Sequence, residues 1–148
     1  MVPRVRFSLP QPWEDLGHTA DVGVRVRAAS AEEALARLAL AFSTLVTGGA
    51  PVVRVREERL EVAGGPGLAG SAVALLRELL FRLATEREVP AEIEVHAVDA
   101  TAIVATVAFG RHDPERHAEG ADVKAVTWHA ARLEQEGDGW IAQIVLDI

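Results

Sequence analysis

Apolar and polar residues alternate in the first regular stretch of the chain, Asp21 to Arg27, where every second residue is Val. A period of two predicts a strand with one buried face. The next stretch, Ser30 to Glu33, has the form of a helix capping box, and apolar residues follow it at intervals of three and four. The pattern therefore predicts a helix that begins after Ser30 and ends at Gly48, because Gly favours helix termination.

A second strand and a second helix come next along the chain. Alternation resumes between Val52 and Val62 and predicts a strand with a bulge in its middle. The Gly-rich segment Gly64 to Gly67 is interpreted as a turn, because it lacks the Lys-Ser/Thr ending of a phosphate-binding loop. The helix that follows is predicted from an apolar face made of Val73, Leu76, Leu80 and Leu83.

After Pro90 the pattern is typical of strands alone. The predicted strands are Ile93 to Val95, Thr101 to Phe109, Val123 to Leu133 and Trp140 to Ile148. A Gly-rich turn separates the last two, which predicts a C-terminal hairpin. This order of elements indicates an α+β fold, in which two helices pack on one face of a mixed β-sheet.

The length of 148 residues suits a single domain, residues 1–148, with one core that needs no disulfide or structural metal. Residues 1–12 are interpreted as an extra N-terminal segment, and Val2 to Phe7 is predicted to add an edge strand. No apolar run is long enough to cross a bilayer, so we expect a cytoplasmic protein without a membrane partner.

The net charge of −7 argues against a protein that grips a phosphate backbone with its own basic residues. The absence of Cys excludes disulfides, thiolate metal clusters and a cysteine nucleophile. Arg25, Arg27, Arg54 and Arg56 would form a basic strip if their two strands paired, although a solvated sheet face is the favoured interpretation. Trp128 and Trp140 are predicted to pack within the hairpin.

Three carboxylates stand out by position: the side chains of Asp21 and Asp147, and the terminal carboxylate carried by Ile148. They would converge if the last strand ended beside Asp21. An oxygen-only, triply anionic cluster suits a hard divalent cation, Ca²⁺ or Mg²⁺, better than Zn²⁺. The alternative is that Asp21 is a turn residue and Asp147 a solvated one.

Histidines offer a second kind of site. His18, Asp21 and His129 could act as metal ligands, or as a general base and its orienting partner, in a metal-dependent hydrolase. No local signature such as H-E-x-x-H supports that hypothesis. His112 and His117 flank an Asp in a polar segment and are interpreted as loop residues.

Several motifs together resemble the archease family. In order and spacing, these motifs span nearly the whole chain from Trp13 to Ile148. They are Trp13-Glu14, His18-Thr19-Ala20-Asp21-Val22-Gly23, Ser30-Ala31-Glu32-Glu33-Ala34, Asp113-Pro114-Glu115-Arg116-His117, Val123-Lys124-Ala125-Val126-Thr127-Trp128-His129 and Leu146-Asp147-Ile148. One departure is Gly17, which stands where family members commonly have Asp or Glu, so His18 lacks that acidic neighbour.

The resemblance implies a small α+β protein that is not itself an enzyme. Archeases assist the GTP-dependent RNA ligase of the RtcB type in tRNA splicing, promoting guanylylation of its active-site histidine and multiple turnover, so tRNA would be met only through the ligase. The resemblance also implies a divalent-cation site at Asp21, Asp147 and Ile148, usually described with Ca²⁺, with Mg²⁺ or Mn²⁺ as alternatives. Besides the hydrolase, a chaperone-like binding module without a single client stays open.

Overall fold

The computed structural model describes residues 5–16 and 21–148. In chain order the elements are β1 Phe7–Ser8, β2 Glu14–Asp15, β3 Asp21–Ala28, α1 Ala31–Thr47, β4 Arg54–Ala63, α2 Gly67–Glu86, β5 Glu88–Val98, β6 Ala102–Arg111, β7 Ala125–Glu136 and β8 Gly139–Asp147. The predicted α+β class and the C-terminal hairpin of β7 and β8 are confirmed.

The strands form two four-stranded sheets, with the orders β1-β5-β6-β4 and β2-β3-β8-β7. Every strand pair in the described residues is antiparallel, so the α+β class stands, but the single mixed sheet of the prediction is corrected to two antiparallel sheets. Both helices contact both sheets. The physical reason lies in α1, which buries 12 of its 17 residues around most of its circumference and needs a layer on each side.

Local chemistry fixes the ends of α1 as predicted. The Ser30 hydroxyl accepts a hydrogen bond from the Glu33 amide at 3.1 Å, and the Glu33 carboxylate accepts one from the Ala29 amide at 2.6 Å. At the other end Gly48 adopts φ of 68°, a left-handed conformation that Gly reaches without steric cost. The helix therefore begins and ends where the sequence indicates.

One continuous hydrophobic core joins the two helices to the inner faces of both sheets. Its largest fully buried side chains include Phe42, Leu76, Ile93, Phe109 and Ile144, which come from two helices and three strands. Because these elements lie far apart in the chain, the core forms only when both sheets close over the helices.

Within the described residues, the N-terminal edge strand is Phe7–Ser8, which overlaps the predicted range at Phe7. Only Phe7 and Ser8 pair, against Ile93 and Glu92 of β5. Of the predicted Val2 to Phe7 range, residues 2–4 lie outside the described residues. The bulge predicted for the middle of β4 lies near its start, between Arg54 and Arg56.

An ionic cluster ties α2 to the edge of the first sheet. Arg82 of α2 donates to both carboxylate oxygens of Glu58 on β4, at 2.8 and 2.7 Å, and Arg56 donates to Glu58 at 2.6 Å. Arg56 also holds Glu88, which is nearly buried at the start of β5. Hydrogen bonds from Arg82, and secondarily from Arg56, lower the pKa of Glu58 from 4.5 to about 2.

Replacement of Glu58 by Gln is expected to lower the free energy of unfolding at pH 7 by about 1–3 kcal/mol, since hydrogen bonds to charged groups are lost. A lowered carboxyl pKa stabilises the fold above the unfolded pKa, and that contribution disappears as the pH falls from about 4.5 towards about 2. The wild-type and Glu58→Gln curves should therefore converge over this range in urea denaturation. Glu61→Gln on the same strand is the control, because Glu61 is mostly exposed and its pair with Arg59 contributes little.

Candidate metal centre

The register of the second sheet places the start of β3 beside the end of β8. Asp21, the first residue of β3, is the direct antiparallel partner of Asp147, the last residue of β8. On the other side of β8, Asp147 pairs with Ala125 of β7, and the Lys124 amide donates to the Asp147 carbonyl at 2.7 Å. The end of the chain is therefore held between two strands.

Paired residues in a sheet point to the same face, so the carboxylates of Asp21 and Asp147 project side by side. Their Cβ atoms are about 4.5–5.5 Å apart by the geometry of directly opposite residues, and like charges in this arrangement repel. Ile148 follows at once and is 41% exposed. We call this group of Asp21, Asp147 and Ile148 the carboxylate tip.

Leu16 packs against β3 close to Asp21. Its amide donates to the Gly23 carbonyl at 2.8 Å, and its side chain lies directly over Gly23. A Cβ at position 23 would lie 2.8 Å from the Leu16 Cβ, so only Gly permits this contact. The close packing fixes the edge of the sheet two residues from Asp21.

The donor chemistry of the carboxylate tip fits a hard divalent cation. Asp21 and Asp147 supply carboxylate oxygens, the ligands that Ca²⁺ and Mg²⁺ prefer, and the third ligand that the sequence predicts is the main-chain carboxylate of Ile148. Across residues 5–16 and 21–148, no group of three His, Asp or Glu side chains is arranged to hold a metal ion. A cation here would therefore depend on the terminal carboxylate as well as on the two side chains.

The residues of the hydrolase hypothesis do not converge in the described part of the chain. His18 lies outside the described residues. His129 lies on β7, two strands from Asp21 and about 10 Å further along the sheet, as strand spacing and rise require. It is exposed to solvent and lies apart from Asp21 on the sheet.

His112 and His117 lie in a loop, as predicted, but they serve the fold in a way that the sequence did not indicate. His117 is only 3% exposed; its Nδ1 accepts from the Asp113 amide at 2.9 Å, and its Nε2 bonds to the Pro51 carbonyl at 3.0 Å. His112 bonds to the Val46 carbonyl through Nε2. The two rings tie this loop to the end of α1 and the segment after it.

The basic strip of the sequence hypothesis is wrong, because β3 and β4 belong to different sheets. Arg25 donates to Gln143, while Arg27 pairs with Glu14 and Glu136. Arg54 and Arg56 pair with carboxylates of the first sheet and of α2. No continuous cationic surface results from these four residues.

The hairpin also holds a feature that sequence reasoning missed. Thr127 pairs with Val145 and Arg132 with Gln143, so the four residues 128–131 of β7 stand against the single residue Ile144. We call residues 128–131 the β7 bulge. Trp128 lies in it and is 45% exposed, so its predicted packing within the hairpin is wrong, whereas Trp140 packs against the core.

The fold and the site define a small α+β domain whose two antiparallel sheets enclose two helices and end in an acidic tip. A sequence model of the Archease protein family (MTH1598/TM1083) matches residues 13–148. The chain belongs to the archease family. Among the part of the chain that is described, no helix is both long and apolar enough to span a membrane.

Relatives and solved structures agree with this assignment. The chain is 34% identical over 140 residues to protein archease of Pyrococcus furiosus, covering 92% of this chain and 98% of the relative. It is equally identical to protein archease of Methanopyrus kandleri, with coverage of 93% and 99%. The solution structure of Methanobacterium thermoautotrophicum protein 1598 superimposes with a TM-score of 0.68 at 25% identity, covering 92% and 98% of the two chains.

A crystal structure of an archease from Thermotoga maritima, described as a possible chaperone, matches with a TM-score of 0.57. It covers 96% of this chain and 99% of its own, at 15% identity, and so supports the fold alone. These structural matches confirm the fold class that the sequence predicted.

Proposed function

We propose that this chain is a non-catalytic activator of an RtcB-type, GTP-dependent RNA ligase, and that a divalent cation at its carboxylate tip orders the surface that meets the ligase. The observation that carries the proposal is the direct pairing of Asp21 with Asp147 beside the end of the chain. Membership of the archease family supports the choice of partner. In this role the chain promotes guanylylation of the ligase histidine and lets the ligase turn over repeatedly.

Charge favours a protein partner over direct capture of tRNA. The net charge is −7, and the arginines that could have formed a cationic strip pair instead with carboxylates or donate to Gln143. Neutralisation of phosphates by Lys and Arg supplies most non-specific affinity for nucleic acid. These four arginines are already engaged, so they contribute little to such neutralisation. The RNA would therefore be held by the ligase.

The cation would be held by the carboxylates of Asp21 and Asp147 together with that of Ile148, and Ca²⁺ suits this oxygen-only set, with Mg²⁺ or Mn²⁺ as alternatives. When bound, it supplies positive charge that offsets the repulsion between neighbouring carboxylates. The chain itself positions these ligands: the β3-β8 pairing aligns Asp21 with Asp147, and the Lys124 amide donates to the Asp147 carbonyl.

The direct test is a ligation assay under multiple-turnover conditions with the cognate RtcB-type ligase, GTP, Ca²⁺ and a split tRNA. Wild-type chain is expected to raise the number of turnovers and the yield of guanylylated ligase, whereas Asp21→Ala is expected to lose most of this effect. Asp138→Ala is the control, because Asp138 is an exposed carboxylate in the turn at the far end of the same hairpin.

Three outcomes would contradict the proposal. Ligase turnover that is the same with and without wild-type chain would exclude the activator role. Phosphoester or nucleotide hydrolysis by the purified chain, abolished in Asp21→Ala, would support the hydrolase hypothesis instead. Binding of many unfolded proteins with no preference for the ligase would favour the chaperone-like module, the role named for the Thermotoga maritima structure.

A further inference from the structure

A carboxylate, an imidazole and a hydroxyl lie in a row on the outer face of the first sheet. The Nε2 of His96 on β5 is hydrogen-bonded to the Oγ1 of Thr106 on β6, at 2.7 Å. The other ring nitrogen, Nδ1, lies 3.0 Å from Oε2 of Glu94. The candidate metal centre belongs to the other sheet, so these three residues form a separate group.

Strand register and a bulge in β5 bring the three side chains together. Glu94 and Thr106 are direct antiparallel partners, so their side chains point to the same face. The register shifts between Val95 and Ala97, which makes His96 the extra residue of a bulge. Val95 is buried in the core, so Glu94 and His96, which flank it, point away from the helices. Bulges of this kind redirect side chains and are common beside reactive sites.

The contacts of His96 determine which ring nitrogen carries the proton when the ring is neutral. Nδ1 is buried and lies beside the carboxylate of Glu94, which can only accept, so this nitrogen holds the proton. Nε2 is then unprotonated and accepts the hydrogen bond from the Thr106 hydroxyl. In this arrangement the carboxylate orients the ring, the ring can take a proton as a general base, and the hydroxyl can act as a nucleophile.

A guanidinium lies on the other side of the hydroxyl. Arg59 of β4 is the direct partner of Thr106, so the two side chains share one face, with Cβ atoms about 4.5–5.5 Å apart. Arg59 is 61% exposed, and its pair with Glu61 is long at 3.5 Å, so this pair holds the guanidinium only weakly. A cation beside a nucleophile stabilises the negative charge that develops on a carbonyl oxygen under attack.

The charges on this face favour acyl donors over phosphoryl donors. A phosphoryl group in transfer needs several positive charges around its oxygens, whereas Arg59 is accompanied by the carboxylates of Glu61 and Glu94. A tetrahedral acyl intermediate carries one negative charge, which one guanidinium can offset. The side chains of His96 and Glu94 are 18% and 21% exposed, so a small acyl donor can reach the group from solvent.

We propose that Thr106 is an acylation site for small activated acyl donors, namely aryl esters and thioesters. The Thr106 Oγ1 attacks the carbonyl carbon of the donor while Nε2 of His96 takes the hydroxyl proton. The bond to the leaving group then breaks, His96 returns the proton to the departing oxygen or sulfur, and the acyl group stays on Thr106 as an ester. Glu94 is a positioning residue that acts through His96. The inference is independent of the proposed function, because it concerns a modification of the chain and not its action on the ligase.

The experiment follows p-nitrophenolate release from p-nitrophenyl acetate and locates the acetyl group on the chain by peptide mass spectrometry. Wild-type chain is expected to release p-nitrophenolate in a burst that matches the amount of chain, with acetyl on Thr106. Thr106→Val, which keeps the shape of the side chain, should slow this burst at least about tenfold, whereas Thr106→Ser, which keeps a hydroxyl, should retain it. The rate should rise with pH as a histidine base loses its proton, and His96→Gln should be slower and lose this dependence.

Matched controls separate this group from other hydroxyls and imidazoles of the chain. Thr101→Val removes a hydroxyl that donates to Asp99 instead of a histidine, and His129→Gln removes an exposed imidazole on the other sheet. Both variants should react as the wild type does. Glu94→Gln should change the pH profile of the burst without changing thermal unfolding, because a partly exposed ion pair contributes little to stability.

Two results would overturn the inference. One is acetylation confined to Lys124 or the terminal amine, with equal rates in wild type, Thr106→Val and His96→Gln. The other is acetylation of Thr106 at the wild-type rate in His96→Gln, which would show that the imidazole is not the base. Asp21→Ala should be acetylated as the wild type is, so either result leaves the proposed activator role untouched.

Discussion

Calcium is expected to raise the melting temperature of the wild-type chain, and this rise should disappear when Ile148 no longer carries the terminal carboxylate. A ligand that binds only the folded state adds about 2.7 kcal/mol at a concentration about 100-fold above its Kd. For a chain of this size that corresponds to about 5–10 °C. Extension of the chain by two glycines turns the Ile148 carboxylate into a neutral amide and removes one of the three charges.

Differential scanning calorimetry with and without Ca²⁺ measures this effect. Asp147→Asn should reduce the calcium-dependent shift in the same way, because Asp147 stands directly opposite Asp21. Asp138→Asn is the control and should keep the full shift, since Asp138 lies in the turn at the other end of the hairpin. An undiminished shift in both the extended chain and Asp147→Asn would exclude the ligand set, even if calcium stabilised the protein elsewhere.

Truncation of Phe109 to Ala is expected to produce the largest loss of stability, about 3–5 kcal/mol of unfolding free energy. Phe109 is fully buried on β6, at the centre of the first sheet. Its ring also makes cation–π contacts with Arg56 and Arg82, whose guanidinium carbons lie 5.0 and 5.8 Å from the ring centroid. The loss is large because whole domains are stable by only about 5–15 kcal/mol.

Equilibrium unfolding in urea measures this loss, and the midpoint should fall while the slope stays constant. Phe81→Ala removes the same side chain from an exposed position and should change stability by no more than about 0.5 kcal/mol. A loss of similar size in both variants would show that the effect comes from the amino-acid type and not from burial. In that case the central role given to Phe109 and its two arginines would be wrong.

Much of the fold follows from local chemistry and could be predicted. The capping residues Ser30 and Glu33 and the left-handed Gly48 fix α1 by interactions within a few residues of one another. Alternation of apolar residues predicted β3, and the Gly-rich turn predicted the terminal hairpin. These features depend on residues that are close together in the sequence, so the local sequence pattern is enough to predict them.

The division of the strands into two sheets could not be predicted in the same way. Sheet membership depends on which distant strands pair, and the alternation in β3 and β4 is similar although they belong to different sheets. For this reason the basic strip that would have joined Arg25 to Arg54 if their strands paired does not form. Burial of both ring nitrogens of His117 against backbone groups is also a tertiary property, because Pro51 lies far from it in sequence.

For the candidate site, the sequence by itself identified the carboxylate residues, and the tertiary structure determined which of them lie side by side. Asp21, Asp147 and Ile148 could be singled out from residue type and position alone, because carboxylates near strand ends are readable in a sequence. Their approach depends on the β3-β8 register, and the exposure of Trp128 depends on four residues of β7 opposing one of β8. Register and bulges are fixed by packing across strands, which no periodicity within a single strand can specify.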